Sequence, residues 1–208
     1  GFPAEGEREL RALCCSFSPA DAEYIKQQEI VTNHDVKAVE YFVKEKVSAM
    51  GLGRWSEFVH FGLTSQDINN TAMPMAIRDS VREVLNPMLL TLRDALKAMG
   101  AEWADIPMLA RTHGQPATPT RLGKEMAVFT ERLDNELSTL ESMKYSGKFG
   151  GATGNFNAHR VAYPQINWPV FADKLLREKL SLERQQTTTQ IEHYDGLSEL
   201  FNSISRIN

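Results

Sequence analysis

Two cysteines, the neighbours Cys14 and Cys15, are all that the 208 residues contain. Adjacent cysteines rarely bridge each other, because a disulfide needs Cβ atoms that face one another. No disulfide framework is therefore expected, and a reducing compartment is. No apolar run approaches the roughly 20 residues that cross a bilayer. No charged-then-apolar leader opens the chain. Both absences point to a cytoplasmic protein with no membrane partner. Charge of one sign is scarce too: 23 Lys and Arg against 27 Asp and Glu leave a net charge of -4. That balance argues against a general nucleic-acid or membrane-surface binder. Alternation of Val, Ile or Thr at period two is missing, which excludes strands of any length and sets the fold class as all-α. The histidines lack the close His/Cys/Asp spacing of a zinc site, so no metal is expected.

What is present is helical periodicity. A hydrophobic share of 42% with 24% charged residues is that of a soluble globular protein. Apolar residues recur by threes and fours along Ile77, Val81, Val84, Met88, Leu92, Leu96 and Met99, closing near Gly100. A second stripe runs through Met126, Phe129, Leu133, Leu137, Leu140 and Met143, closing near Gly147. A third runs through Ile191, Tyr194, Leu197, Phe201 and Ile204 and is unfinished at Asn208. A shorter helix is expected from Asp35 to Met50, with Thr32 or Asn33 as N-cap and Gly51 beyond its end. Pro74 suits a first turn or a kink, and Pro87 a bend. Loops are expected over 51–53, 107–119 and 147–154. Stripes of this spacing imply near-antiparallel bundle packing, and more apolar surface than one copy covers. An oligomer is therefore expected.

Four polar segments stand at or near expected helix N-termini: TNHDVKA with Asn33, His34 and Asp35, HFGLTSQDINN with Thr64 to Asp67, RTHGQPATPT with His113, and TTTQIEH with Thr189 and Gln190. Free N–H groups and the helix dipole favour anions there, though Ser, Thr, Asn and Asp also serve simply as caps. His113 is an acid–base candidate because imidazole titrates near neutrality and its neighbours Gly114 and Pro116 limit its movement. A loop-bracing role fits the same residues. His34 and Asp35 do not form a persuasive dyad, since neighbours on a helix do not face each other. His60, His159 and His193 read as packed or partly exposed. The glycine-rich GKFGGATGNFNAH fits neither nucleotide fingerprint, and Lys148 and Arg160 beside it read as ordinary surface cations.

Taken in order, TNHDVKAVEYF, HFGLTSQDINN, RTHGQPATPTRLGKEMA, GGATGNFNAH and TTQIEHYDGLSELF resemble the fumarase/aspartase lyase superfamily. Within it they are similar to the bacterial-type branch that acts on adenylosuccinate. The resemblance spans about Glu29 to Asn208. It implies a long-helix bundle over residues 56–208, preceded by a partial small helical domain over 1–55. It implies β-elimination of fumarate from adenylosuccinate, giving AMP, and from the succinyl-carboxamide ribotide, giving AICAR. No cofactor is implied. His113 matches the histidine that protonates the leaving nitrogen, and His34 a second histidine tied to catalysis. Asn33, His34 and Asp35 match a substrate-contacting segment, Thr64 and Ser65 residues that bind the succinyl or phosphate end, and Gln190 a substrate-contacting glutamine. The family's assemblies are homotetramers with shared active sites. Its flexible serine loop, implied as the base, and its N-terminal Arg-Tyr segment are not found in these residues. The expectation is a fragment that is inactive alone. An argininosuccinate lyase or another superfamily lyase, and a non-catalytic helical scaffold, are the alternatives.

Overall fold

The computed structural model describes residues 2–208. They form two compact units, one of residues 2–72 and 147–192, the other of residues 73–146 and 193–208. In the first, α1 (Ala4–Cys15) is followed by α2 (Pro19–Thr32) and α3 (Asp35–Ala49). Ser18 and Asp21 form a reciprocal capping box that starts α2. Asn33 takes the left-handed conformation that ends α2, with φ 51. The two helices then run back antiparallel: Tyr24 reaches Glu45 at 2.6 Å, and Asp21 reaches Lys46 at 3.5 Å. Ile25, Ala38 and Phe42 are buried between them, with Leu13 packed alongside. Thr32 and Asn33, the residues expected as N-cap of α3, are instead the last residue and the C-cap of α2, and His34 takes the capping position.

The remainder of this unit includes a short 3-10 segment Gly53–Phe58, the start of α4 (Ser65–Ser80), and α7 (Asn157–Ala162) and α8 (Trp168–Lys174), the last running into a π-helical turn Leu175–Lys179. Phe156, Trp168 and Ala172 form its second core, with Phe61, Phe149 and Tyr163 packed around them.

In the second unit, helical backbone continues from α4 through a π-helical turn, Val81–Leu85, into α5 (Asn86–Glu102). Pro87 falls at the start of α5 just past that wide turn, where its missing N–H costs least. Pro74 lies well inside α4 rather than in a first turn. A β-hairpin, β1 (Pro107–Thr112) and β2 (Gln115–Arg121), leads from α5 into α6 (Leu122–Ser142). α5 and α6 are antiparallel. Arg93 bonds Asp134 at 2.6 Å, and the backbones meet so closely at Gly100 and Gly123 that a Cβ on Gly123 would stand 2.2 Å from the Gly100 carbonyl. α9 (Asp195–Ile207) returns along α6, with Arg206 and Ser203 both bonded to Glu136. Val81, Leu89, Leu133, Leu140 and Leu200 are the buried core. Val81, Leu133 and Leu140 stand on the predicted stripes, Leu197 and Ile204 of the third stripe pack against the core, and Leu89 and Leu200 lie outside the stripes.

The hairpin corrects the expectation that residues 107–119 form a loop and that strands are absent. Only a few side chains on it alternate in burial, and prolines interrupt it, so its period-two signal is faint. α9 also starts later than the third stripe suggested, which leaves Thr189 and Gln190 in irregular backbone ahead of it. Among the described residues no helix is long and apolar enough to cross a membrane.

Candidate active site

In the first unit two helix N-termini face each other through their first side chains. His34, in extended backbone at φ -154, turns its ring over the start of α3, and Nδ1 accepts the Lys37 N–H at 3.3 Å. Its Nε2 lies 3.1 Å from the Ser65 hydroxyl at the head of α4. One turn further along α4, the Asn69 amide donates to Asp35 at 3.4 Å. Backbone hydrogen bonding from Val36 holds the Asp35 carboxyl below the usual carboxylate range, outweighing burial, with further help from Asn69 and His34. His34 Nδ1 also stands 3.3 Å from Asp35, a proximity the sequence argued against. The reason is that His34 is not a helical residue: it caps, and a capping side chain can swing over its successor. Thus His34, Asp35, Thr64 and Ser65 are brought together. Asn33 is next to them in the turn.

Beneath Ser65 lies a buried ionic node. The Asp67 carboxylate accepts from the Thr64 N–H at 2.8 Å, from Gly150 and Gly151 N–H at 2.9 and 3.0 Å, and from Lys148 Nζ at 2.8 Å. Lys148 is fully buried and donates as well to the Gly151 carbonyl. The reading of Lys148 as a surface cation is therefore corrected: the carboxylate that neutralises it sits far away in sequence. One turn past Asp67, the buried Asn70 accepts the Glu192 N–H at 2.9 Å. Gly154 backs onto the Thr188 carbonyl with no room for a Cβ. These contacts dock the TTTQIE segment, and they leave Gln190 exposed on it. The spacing of Asp67 and Asn70, three apart on one helix face, was the available signal for this anchoring role.

Two further histidines support the frame. His159 is buried, with its ring 4.7 Å from Trp168, and burial lowers its basicity. Gly62, at φ 65, lets the backbone pass against it. His60 Nδ1 reaches the buried Glu40 at 3.0 Å, beside Lys37 at 2.8 Å and Lys44 at 3.1 Å. Burial works against the Glu40 charge, but the three donors outweigh it and bring its pKa down to about 2.

His113 belongs to the second unit. It occupies the first position of the two-residue hairpin turn, at φ 51, with Gly114 at φ 73 behind it. Two consecutive positive φ angles define the turn that suits a twisted hairpin. Arg111 donates to the Gly114 carbonyl at 3.2 Å and braces the turn. The imidazole is exposed at the tip. Backbone held on both sides and an accessible ring are what a positioned proton donor needs. Among the described residues no three His, Cys, Asp or Glu gather as a metal site.

Long antiparallel helices carrying polar clusters at their ends define an all-α fold. A family model described as lyase matches residues 4–208, and the chain belongs to that family. It is similar to the adenylosuccinate lyase of Dictyostelium discoideum, 52% identical over 209 residues that take in 98% of this chain and 45% of the relative. The adenylosuccinate lyase of Escherichia coli strain K12 is 44% identical over 208 residues, 100% of this chain and 45% of the relative. The chain thus spans less than half the length of these curated relatives. Among solved structures, a fumarate lyase from Mesorhizobium sp. BNC1 matches with a TM-score of 0.76 at 23% identity, covering 99% of this chain and 46% of that one. The 3-carboxy-cis,cis-muconate lactonizing enzyme from Pseudomonas putida gives 0.74 at 24% identity, covering 98% and 45%. Both share the fold.

Proposed function

We propose that this chain is part of an enzyme that cleaves adenylosuccinate to AMP and fumarate, and the succinyl-carboxamide ribotide to AICAR and fumarate. The observation that carries the reading is 52% identity to an adenylosuccinate lyase across nearly the whole chain. In the reaction a base takes the proton from the carbon β to the C–N bond. The C–N bond then breaks, its electron pair passes to nitrogen, and a new C=C bond completes fumarate. An amine anion is a poor leaving group, so nitrogen must be protonated as it departs. His113, fixed in its turn, is assigned that proton. The starts of α3 and α4, with Asn33, His34, Thr64 and Ser65 beside them, offer donors and positive dipole ends to a substrate carboxylate or phosphate and to the negative charge that builds after proton loss. Asp35 is assigned a contact with a donor group of the substrate. Gln190, exposed on its docked segment, is assigned a substrate contact. The base is assigned to the part of the relatives' length that this chain does not span. No cofactor enters the scheme, and the assembly is a cytoplasmic homotetramer with shared active sites.

The test is ultraviolet absorbance of adenylosuccinate incubated with the 208-residue chain and, separately, with the protein at the full length of its relatives. The long form should turn over and the short one should not. Turnover by the short chain at a normal rate would refute the assignment of the base. Silence from the long form would refute the substrate.

A further inference from the structure

The second unit holds a polar cavity of about 270 Å³ that the proposed chemistry leaves unused. Arg82 and Asn86 line it from the long helical segment, and Glu141, Met143 and Tyr145 line it from the end of α6 and the residues just beyond. A π-helical turn shapes the first wall. Over Val81–Leu85 the ladder slips by one residue, so that the Asn86 N–H bonds the Val81 carbonyl, and Pro87 behind it has no N–H to give. Single turns of this kind gather at functional sites.

Two lining side chains carry orphaned polar atoms. Tyr145 Oη and Asn86 Oδ1 are buried and have no hydrogen-bond partner among the described residues. Each orphan costs folding free energy that a bound partner recovers, and the open space beside them lets both side chains turn inward. Burial raises the Tyr145 pKa while Arg82 and Arg78 pull against it, so the hydroxyl stays a donor at neutral pH. The charges are of both signs. Arg82 stands near enough to Tyr145 to act on its titration, and the two supply donors suited to a carboxylate. α6 ends at Ser142 with no basic residue in its last turn, so its last carbonyls and Glu141 make that wall negative. The Asn86 carbonyl adds an acceptor.

We infer that this cavity binds a small zwitterion, an α-amino acid, with its carboxylate on Tyr145 and Arg82 and its ammonium on Glu141, Asn86 and the end of α6. The size of the cavity sets a small ligand, at the lower end of the range that pockets span. The inference does not rest on the function proposed above, because none of these residues belongs to the helix starts or the hairpin turn.

The test takes the protein at native length through thermal unfolding with each standard amino acid at about 10 mM, and with acetate and methylamine as half-ligands. At least one amino acid should raise the wild-type melting temperature and bind with a Kd of about 1 mM or tighter by calorimetry. Each half-ligand should bind about tenfold more weakly or worse, because it meets only one end of the site. Tyr145→Phe removes only the orphaned hydroxyl, so the variant should fold as wild type does while its Kd rises about tenfold or more. Glu141→Gln should raise the Kd about threefold. Absence of binding by any amino acid overturns the inference and leaves water as the occupant. Binding that both Tyr145→Phe and Glu141→Gln leave unchanged belongs to another site and overturns it too. Acetate that binds as tightly as the amino acid does the same, and marks a simple anion site.

Discussion

Asp67 carries more structural responsibility than any other polar side chain of the first unit, because it neutralises a fully buried lysine and also gathers three backbone N–H groups. Removing its charge strands the fully buried Lys148 without its counter-charge. Asp67→Asn should therefore cost about 3–5 kcal/mol of unfolding free energy, measured by urea titration. Lys148→Met should cost less, since the carboxylate keeps its three N–H donors. Equal losses would contradict that ordering. His159 and Glu40 set the acid limits. The folded pKa of His159 is depressed, so its contribution is whole above the unfolded value of about 6.5 and is lost as pH falls through its folded value. The Glu40 contribution is whole above about 4.5 and is lost as pH falls toward about 2. Melting temperature against pH should therefore decline in two windows. His159→Phe should flatten the upper one and Glu40→Gln the lower. A wild-type curve flat from neutrality to about pH 4 would contradict the His159 assignment.

Elements differ in how plainly the residues announce them. Leu133, Leu137 and Leu140 of α6 and Leu197 and Ile204 of α9 recur at helical spacing and pack on one core, so those two helices were legible, while the buried Leu89 of α5 and Leu200 of α9 stand outside the stripes. The hairpin was not. Pro116 and Pro119 read as loop residues, and a His-Gly turn lacks the Asn or Asp that usually marks two positive φ angles. α7 and α8, at six and seven residues, are too short for a period to show. The polar clusters were legible as motifs, but not the role of Lys148, whose meaning depends on a partner brought in by tertiary folding. Close packing between elements gives a further prediction. Gly62→Ala places a Cβ 2.8 Å from His159 Nε2 at a positive φ, with the ring wedged against Trp168. It should destabilise by roughly 2–4 kcal/mol in thermal unfolding. A change below about 0.5 kcal/mol would mean that the ring has room to move.

For the molecule as a whole, the family is settled by a match over nearly the entire chain, and the chemistry is a proposal resting on the relatives it resembles. The proposed chemistry divides the labour among separate polar clusters on a helical frame: a hairpin that holds one histidine, and helix starts that would present hydroxyl and N–H donors to an anion. The most direct measurement is adenylosuccinate cleavage by the protein at native length, wild type beside His113→Asn. Asparagine tolerates the left-handed turn, so the hairpin and the melting temperature should persist while the proton donor is lost. Wild type should turn over clearly, and kcat should be lower by about 10²- to 10⁴-fold in the variant. A His113→Asn protein that cleaves adenylosuccinate at the wild-type rate would contradict it.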